Sequence, residues 1–241
     1  VFHDLSKVKP LEPIRVGRLA GEPFRGAKEP LRVVPVKDGP LRVWRAPKPG
    51  ERFIVFADPA GVPKEDVYEE RDPRDGDDYC CAQVIDAVTG EQCAELHGRW
   101  LGYEFAHDLA RLGYIYRDRE KNMPALLAVE ATGGYGNAVI EELRARVGYP
   151  MLYRRELLGK VAHRPVGTAV GWSTNVETRE VMVDAIRRVV VEAPHLIHSD
   201  GLLGEMRTFV YDDLAKPGAA PGCHDDRVMA FAGGLAWRMR G

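Results

Sequence analysis

The 241-residue sequence predicts an α/β fold in which a mixed central sheet is flanked by helices. Two short apolar runs, residues 52–57 and 125–129, have the length and composition of strands that are buried on both faces. Several later segments carry apolar residues at helical spacing. Because strands joined by turns come first and then alternate with helices, we expect both antiparallel and parallel neighbours in the sheet.

The predicted elements follow in a simple order. The strands are residues 52–57, 81–86, 92–98, 125–129 and 151–153. The helices are residues 103–117, a segment after the glycines at 133, 134 and 136, and residues 178–191, 202–210 and 225–239. Thr89-Gly90 supplies the turn between the second and third strands. In the first helix Phe105, Leu109 and Leu112 share one face.

The composition is that of an ordinary globular protein, with a net charge of −2, 45% hydrophobic and 29% charged residues. No apolar run is long enough for a membrane-spanning helix, so no membrane partner is expected. No basic and then apolar leader is present, so we expect no signal peptide. The four cysteines form no CxxC pair, which favours a reducing compartment. The near-zero charge argues against a polycation and leaves room for a local basic groove.

Residues 1–50 differ from the rest of the chain. They hold eleven Lys and Arg, five Asp and Glu, and eight of the seventeen prolines. Because proline removes backbone donors and blocks helices, we expect a basic linker or strap here rather than an independent core. The globular domain is predicted to span residues 51–241.

Two acids occupy equivalent places. Asp58 ends the first buried strand, and Glu130 ends the second. If these strands are parallel neighbours, both carboxylates emerge at the edge where open α/β sheets build their sites. Each acid alone is also explained as a loop or capping residue, but two acids after matched apolar runs favour a functional site.

A third acidic position opens the last helix. Asp225 and Asp226 are adjacent there, and capping alone would explain acids at a helix start. Steps of 100° per residue place Asp225 on the same stripe as Val228, Met229 and Leu235, with Asp226 on its flank. An acid on a buried face needs a cation or a hydrogen-bond partner, so Asp225 is the stronger candidate ligand.

Three carboxylates at one edge would repel one another without a cation between them. Oxygen ligands with positions open to water suit Mg²⁺ or Mn²⁺. Two such ions about 3.5–4 Å apart activate a water and stabilise the leaving oxygen of a phosphodiester.

Six motifs occur in a defined order over about residues 42–238. They are Phe-Ala-Asp58-Pro-Ala, Gly-Asp77-Asp78-Tyr, Val-Glu130-Ala-Thr-Gly-Gly-Tyr-Gly, Gly-Trp172-Ser-Thr with Thr178-Arg179, Glu205-Met-Arg-Thr-Phe, and His224-Asp225-Asp226. Each motif alone is weak. The ordered set resembles the C-terminal nuclease domain of the large subunit of tailed-bacteriophage terminases.

The resemblance implies an RNase H-like fold and a two-metal endonuclease that cuts concatemeric double-stranded viral DNA during genome packaging. It implies Asp58, Glu130 and Asp225 as metal ligands, although the family often has Asp where Glu130 stands. Asp226 matches the second of the family's paired aspartates, and the resemblance does not decide which of the two dominates. Asp77 or Asp78 matches a loop acid near the site. We expect little sequence specificity, since such sites mainly grip the backbone.

The resemblance also implies partners: double-stranded DNA, a terminase ATPase domain, the small terminase subunit and the portal, in the host cytoplasm. The sequence contains no G-x-x-x-x-G-K-[ST] motif, so we do not expect this chain to hydrolyse ATP. We expect an isolated nuclease domain, with residues 1–50 as the end of an interdomain connection.

Five basic residues are candidate DNA contacts. They are Arg154, Arg155, Lys160, Arg164 and Arg179. A solvated basic face is the alternative. Residues 159–172 contain Gly, Pro and Thr, and we expect a mobile loop over the active edge.

Two other functions remain open. A junction resolvase or transposase-like nuclease would keep the fold and change the substrate. A docking module of a packaging motor would bind DNA or portal without turnover.

Overall fold

The structure, a computed structural model, describes residues 1–2, 4–22, 29–60, 79–132, 134–158 and 165–239. The strands in these residues are β1 Arg15–Ala20, β2 Arg32–Pro35, β3 Leu41–Val43, β4 Phe53–Asp58, β5 Cys80–Asp86, β6 Gln92–Gly98, β7 Leu126–Val129, β8 Arg154–Leu158, β9 Pro165–Val170, β10 Phe209–Tyr211 and β11 Pro217–Ala219. The helices are α1 Gly102–Ile115, α2 Gly134–Glu142, α3 Val176–Glu192, α4 Asp200–Thr208 and α5 Asp226–Arg238. A π-helical turn, Leu143–Val147, continues α2, and a 3₁₀ turn, Pro194–Leu196, precedes α4.

Seven strands form one sheet in the order β2-β1-β3-β6-β5-β4-β7. Strands β4 and β7 pair in parallel, and the other neighbours pair antiparallel. Helices α1 and α2 pack on one face, and α3, α4 and α5 pack on the other. The predicted α/β class with a mixed, helix-flanked sheet is therefore confirmed. None of the helices in the described ranges combines the length and apolar character that a membrane crossing requires.

Strand β4 is apolar throughout because its two faces serve two different cores. Phe53, Val55 and Ala57 lie in the core under α1 and α2. Ile54 and Phe56 lie in the core under α3, α4 and α5. Since side chains alternate along a strand, a strand covered on both sides needs an apolar residue at every position. Only Asp58, at its end, departs from this pattern.

Residues 1–50 contribute three strands that the sequence did not predict. Strand β3 pairs with β6, so the sheet runs without a break across the boundary expected near residue 50. The basic residues and prolines hid these strands, because β1 is buried on alternate positions only and its apolar pattern is short. Before β1, Val8 is buried and the Leu11 amide donates to the His198 carbonyl at 2.9 Å, so this stretch does lie along the folded domain.

Two hairpins were also missed. Strands β8 and β9 pair antiparallel, which corrects the loop expected at residues 159–172 for the part from residue 165 onward. Strands β10 and β11 form the second hairpin, and α4 therefore ends at Thr208 rather than continuing to residue 210. The strand expected at 151–153 is reduced to one bridge between Leu152 and Leu127. Such short pairs lack the apolar alternation by which strands are recognised.

Helix α5 approaches the sheet closely through two glycines. A Cβ added to Gly233 would lie 2.3 Å from the Phe56 ring, and one added to Gly234 would lie 2.3 Å from Cδ1 of Ile85. Both neighbours are fully buried, so they have little room to move.

We expect Gly233→Ala to destabilise the protein by about 1–3 kcal/mol, because the added methyl group overpacks the Phe56 ring. Gly204→Ala in α4 is the matched control, since no heavy atom of the described chain lies within 4 Å of the added Cβ. The free energy of unfolding of the control should rise by up to about 1 kcal/mol, because alanine has a higher helix propensity than glycine. Chemical denaturation of both variants measures the difference, and equal stabilities would contradict the close approach of α5.

Candidate metal centre

The first two acids emerge side by side from the parallel strand pair. Ala57 of β4 is in register with Val129 of β7, and Asp58 and Glu130 are the next residues. The Glu130 amide donates to the Ala57 carbonyl at 2.8 Å, which extends the pairing to the acids themselves. The two strands are thus the parallel neighbours that the sequence argument required.

A row of cross-strand neighbours continues from Asp58. Asp58 is in register with Cys81 of β5, and Cys81 is in register with His97 of β6. Directly opposed residues point to the same face of a sheet. This face also carries Ile54 and Phe56, so the row lies on the side covered by α3, α4 and α5.

Helix α5 brings the other two acids to this row. Asp225 is its N-cap residue, with φ −131° and ψ 12°, and Asp226 is its first helical residue. The Asp225 side chain is 27% exposed and that of Asp226 is 15% exposed. The predicted order of burial is therefore wrong: Asp225 lies outside the helical geometry, so the 100° steps do not apply to it.

The acids are close enough to shift the pKa of Asp58. Burial raises the pKa of Asp58 well above its usual value, and the carboxylates of Glu130, Asp226 and Asp225 raise it further. The positive charge of Arg179 acts in the opposite direction. A carboxylate so placed remains charged at neutral pH only if a cation compensates it.

Only one of the two carboxylate oxygens of Glu130 has a hydrogen-bond partner among the described residues. Its Oε2 accepts a hydrogen bond from the Thr132 amide at 3.0 Å. Its Oε1 is buried, and no donor among the described residues reaches it. Gly136 of α2 packs against the Glu130 carbonyl so closely that a Cβ there would lie 1.9 Å from the oxygen. The backbone of Glu130 is thus held while one carboxylate oxygen is left for a ligand.

Arg179 holds the third acid from the cleft side. Its Nη2 donates to Asp225 Oδ2 at 2.8 Å, and its Nε donates to the Pro217 carbonyl at 2.8 Å. The sequence suggested Arg179 as a DNA contact. In the structure two of its nitrogens are already engaged, and one of them ties helix α3 to Asp225.

An open cleft of about 1150 Å³ leads to the acids. Asp58, Glu130 and Asp225 line it, together with Tyr211 at the end of β10 and Lys216 in the turn between β10 and β11. The donor set is made of carboxylate oxygens, and one of them lacks a partner among the described residues. Such a set fits hard divalent ions such as Mg²⁺ or Mn²⁺.

The remaining predicted residues lie elsewhere. Arg154 is exposed at the start of β8, and the adjacent Arg155 donates to the Gly171 carbonyl at 2.9 Å. Neither is among the described residues that line the cleft. Lys160, Arg164, Asp77 and Asp78 lie outside the described residues.

A second cluster beside the acids was not predicted. A ring nitrogen of His97 and carboxylate oxygens of Glu205 and Asp226 lie within 4.8 Å of one another. Burial, and next the charge of Arg227, lower the pKa of His97 to about 3, so its ring is neutral at physiological pH. Glu205 belongs to one of the sequence motifs, but its role was not assigned. The position of His97 follows only from the strand register.

The sequence matches no protein-family model and no curated protein. Solved structures do match. The large terminase nuclease from thermophilic phage G20c superposes with a TM-score of 0.56 at 16% identity, over 83% of this chain and 90% of that chain. The same nuclease with bound magnesium gives 0.54 at 18% identity, over 83% and 89%. The large terminase nuclease domain of Thermus phage P74-26 gives 0.52 at 19% identity, over 84% and 86%.

The chain has the fold of a large terminase nuclease domain. This result confirms the RNase H-like fold that the ordered motifs implied. At such low identity the likeness establishes the fold, while the roles of individual residues in this terminase nuclease fold rest on the geometry of the acids.

The raised pKa of Asp58 predicts an inverse dependence of stability on pH in the metal-free protein. Because the folded state binds this proton more readily than the unfolded state, stability falls as pH rises from the unfolded pKa through the raised folded value. Asp58→Asn removes the charge, so in EDTA at neutral pH we expect it to melt at a higher temperature than the wild type. The difference should shrink towards about pH 4, where the unfolded carboxyl titrates.

Differential scanning calorimetry with EDTA and with Mn²⁺ measures this effect. Mn²⁺ should raise the melting temperature of the wild type more than that of Asp58→Asn. A wild type that melts above the variant in EDTA at neutral pH would show that the acids do not strain the fold.

Proposed function

We propose that this chain is a metal-dependent endonuclease that cuts concatemeric double-stranded DNA during viral genome packaging. The observation that carries the proposal is the convergence of Asp58, Glu130, Asp225 and Asp226 at one end of the β4–β7 pair. The fold supports the choice of reaction, since the similar proteins are named as terminase nucleases and one was solved with bound magnesium.

Asp58, Glu130 and Asp225 would hold the metal, and Asp226 would contribute from the start of α5. When bound, a pair of Mg²⁺ or Mn²⁺ ions supplies an activated water and stabilises the leaving oxygen of the phosphodiester. Burial and the charges of the three other acids raise the pKa of Asp58, so its charged form would depend on a bound cation. Arg179 orients Asp225 through the 2.8 Å ion pair. Glu130 Oε1 is buried and has no donor among the described residues, which supports a role for this oxygen as a metal ligand.

DNA would reach the acids through the open cleft. The proposed phosphate contacts are Arg154, Arg155, Lys160 and Arg164. Arg179 would contact the DNA from inside the cleft. Phosphate contacts carry no sequence information, so we propose cutting with little sequence preference. A terminase ATPase domain, the small subunit and the portal are the proposed partners, and the host cytoplasm is the proposed location.

Plasmid nicking with Mg²⁺, Mn²⁺ or EDTA tests the proposal. We expect cleavage that needs metal and that falls in Asp58→Asn by more than the roughly 10- to 100-fold typical of losing a residue behind a metal ligand. Asp184→Asn is the matched control, since that carboxylate is 68% exposed on α3 and pairs with Arg187. It should cut at the wild-type rate.

Metal-dependent cutting that survives Asp58→Asn would overturn the site. DNA binding without turnover in either metal would favour a docking module. A branched junction cut much faster than linear duplex would favour a resolvase or transposase-like enzyme of the same fold.

The proposed DNA contact of Arg154 predicts a defined salt effect. We expect Arg154→Ala to weaken duplex binding and to lower the slope of log affinity against log salt by about 1. Arg32→Ala is the control, because Arg32 lies on β2, at the edge of the seven-stranded sheet opposite to β7 and Glu130. Fluorescence anisotropy in EDTA over a range of NaCl measures both slopes, and identical slopes for the two variants would exclude Arg154 from the interface.

A further inference from the structure

A chain of buried hydrogen bonds crosses the sheet beneath α4 and α5. Gln92 Oε1 accepts from the amides of His198 and Ser199 at 2.7 and 2.8 Å, just before α4 begins. Gln92 Nε2 donates to Gln83 Oε1 at 2.9 Å, and Gln83 Nε2 donates to Glu95 Oε2 at 3.0 Å. The three side chains are at most 1% exposed, so these bonds are shielded from water.

Arg227 is where this chain of bonds ends. Its Nε donates to Glu95 Oε1 at 3.1 Å, its Nη1 to Glu205 Oε1 at 2.7 Å and its Nη2 to His97 Nδ1 at 2.9 Å. Every nitrogen of the guanidinium therefore has a partner, two of them on β6 and one on α4. A planar fork held in this way has one orientation, which a lysine cannot reproduce.

Glu205 attaches the same fork to the start of α5. Its Oε2 accepts from the amides of Arg227 and Val228 at 2.8 and 3.2 Å. These amides belong to the first turn of the helix, where amides have no partner within the helix. The first turn is thus held both by its own side chain and by its backbone.

The cluster of His97, Glu205 and Asp226 is consequently not a vacant metal site. Arg227 bonds two of its three members, so a fixed guanidinium supplies the cation that a metal would otherwise bring. Arg227 follows Asp225 and Asp226 directly in the chain. The backbone of this first turn therefore connects the fork directly to both acids.

We infer that Arg227 is a positioning residue for the metal site, which fixes Asp225 and Asp226 against the sheet through Glu95, Glu205 and His97. This inference rests on the proposed function for the identity of the site. Productive geometry tolerates displacements of only about 0.5 Å, so a loosened first turn weakens metal binding even when the protein is folded.

Arg45 provides a matched control. It binds acids where β5 ends and β6 begins, at the opposite end of these strands from His97. It has three side-chain partners, as Arg227 has, and all three are carboxylates, those of Glu51, Asp86 and Glu91. Its side chain is 20% exposed, against 18% for Arg227. Arg45→Lys and Arg227→Lys therefore remove comparable sets of guanidinium contacts. Only Arg227 is adjacent to Asp225 and Asp226.

The test is calorimetric titration of the full chain with Mn²⁺ alone, after its melting temperature is measured in EDTA, followed by nicking over a range of Mn²⁺ concentrations. We expect Arg227→Lys to remain folded and to bind Mn²⁺ about tenfold or more weakly. Its nicking should shift to correspondingly higher Mn²⁺. Arg45→Lys should lower the melting temperature and leave Mn²⁺ affinity unchanged.

A folded Arg227→Lys with wild-type Mn²⁺ affinity overturns the inference, as does an equal loss of affinity in Arg45→Lys. If Arg227→Lys does not fold, Glu95→Gln is tested in its place. This variant keeps the side-chain shape and removes one of the negative charges that bind the Arg227 guanidinium. Weaker Mn²⁺ binding by Glu95→Gln then supports the inference, and unchanged binding overturns it. Wild-type Mn²⁺ binding without nicking would overturn the nuclease alone, whereas no Mn²⁺ binding by the wild type would overturn both proposals.

Discussion

Mutual repulsion among buried carboxylates is the constraint around which this structure is arranged. Asp58 is surrounded by Glu130, Asp225 and Asp226, and burial removes the water that would screen them. Such a group of charges pushes apart unless its backbones are fixed and a cation is present. Each acid is accordingly carried by a regular element: the end of β4, the residue after β7 and the start of α5.

Two arginines meet this constraint from different sides without filling the site. Arg179 reaches Asp225 from the cleft, and Arg227 lies behind the acids among Glu95, Glu205 and His97. The guanidinium groups neutralise the acids at the margins of the cluster. The centre, with Asp58 and Glu130 at the ends of adjacent strands, is where we propose that a metal ion binds. This division separates the charges that stabilise the fold from those available for chemistry.

The sequence predicted the sheet centre and the acids because both depend on short-range patterns. A continuous apolar run such as residues 53–57 of β4 indicates two covered faces, and two acids that end matched runs of this kind favour a site. Strands β1 and β2 were missed since they are short and only alternate positions of β1 are buried. The hairpins β8–β9 and β10–β11 are held by partners close in sequence but show little alternation.

The relative placement of Asp225 and Asp226 needed the structure, because one residue at a helix start separates non-helical from helical geometry. The role of Arg227 was equally hidden. Its partners Glu95 and His97 lie about 130 residues earlier, and only the register between β5 and β6 brings them beneath α5. Long-range polar contacts of this kind leave no periodic pattern in a sequence.

The two glycines of α5 have a consequence for the acids at its other end. An α-helix rises about 1.5 Å per residue, so Gly233 lies about 10 Å from Asp226 along a stiff rod. The glycines set how closely that rod rests on Phe56 and Ile85. A larger side chain at either glycine would push this part of α5 away from the sheet. Because the helix is rigid, its first turn would then move relative to the strand ends. We therefore expect these two uncharged glycines to influence the distance between Asp226 and the ends of β4 and β7.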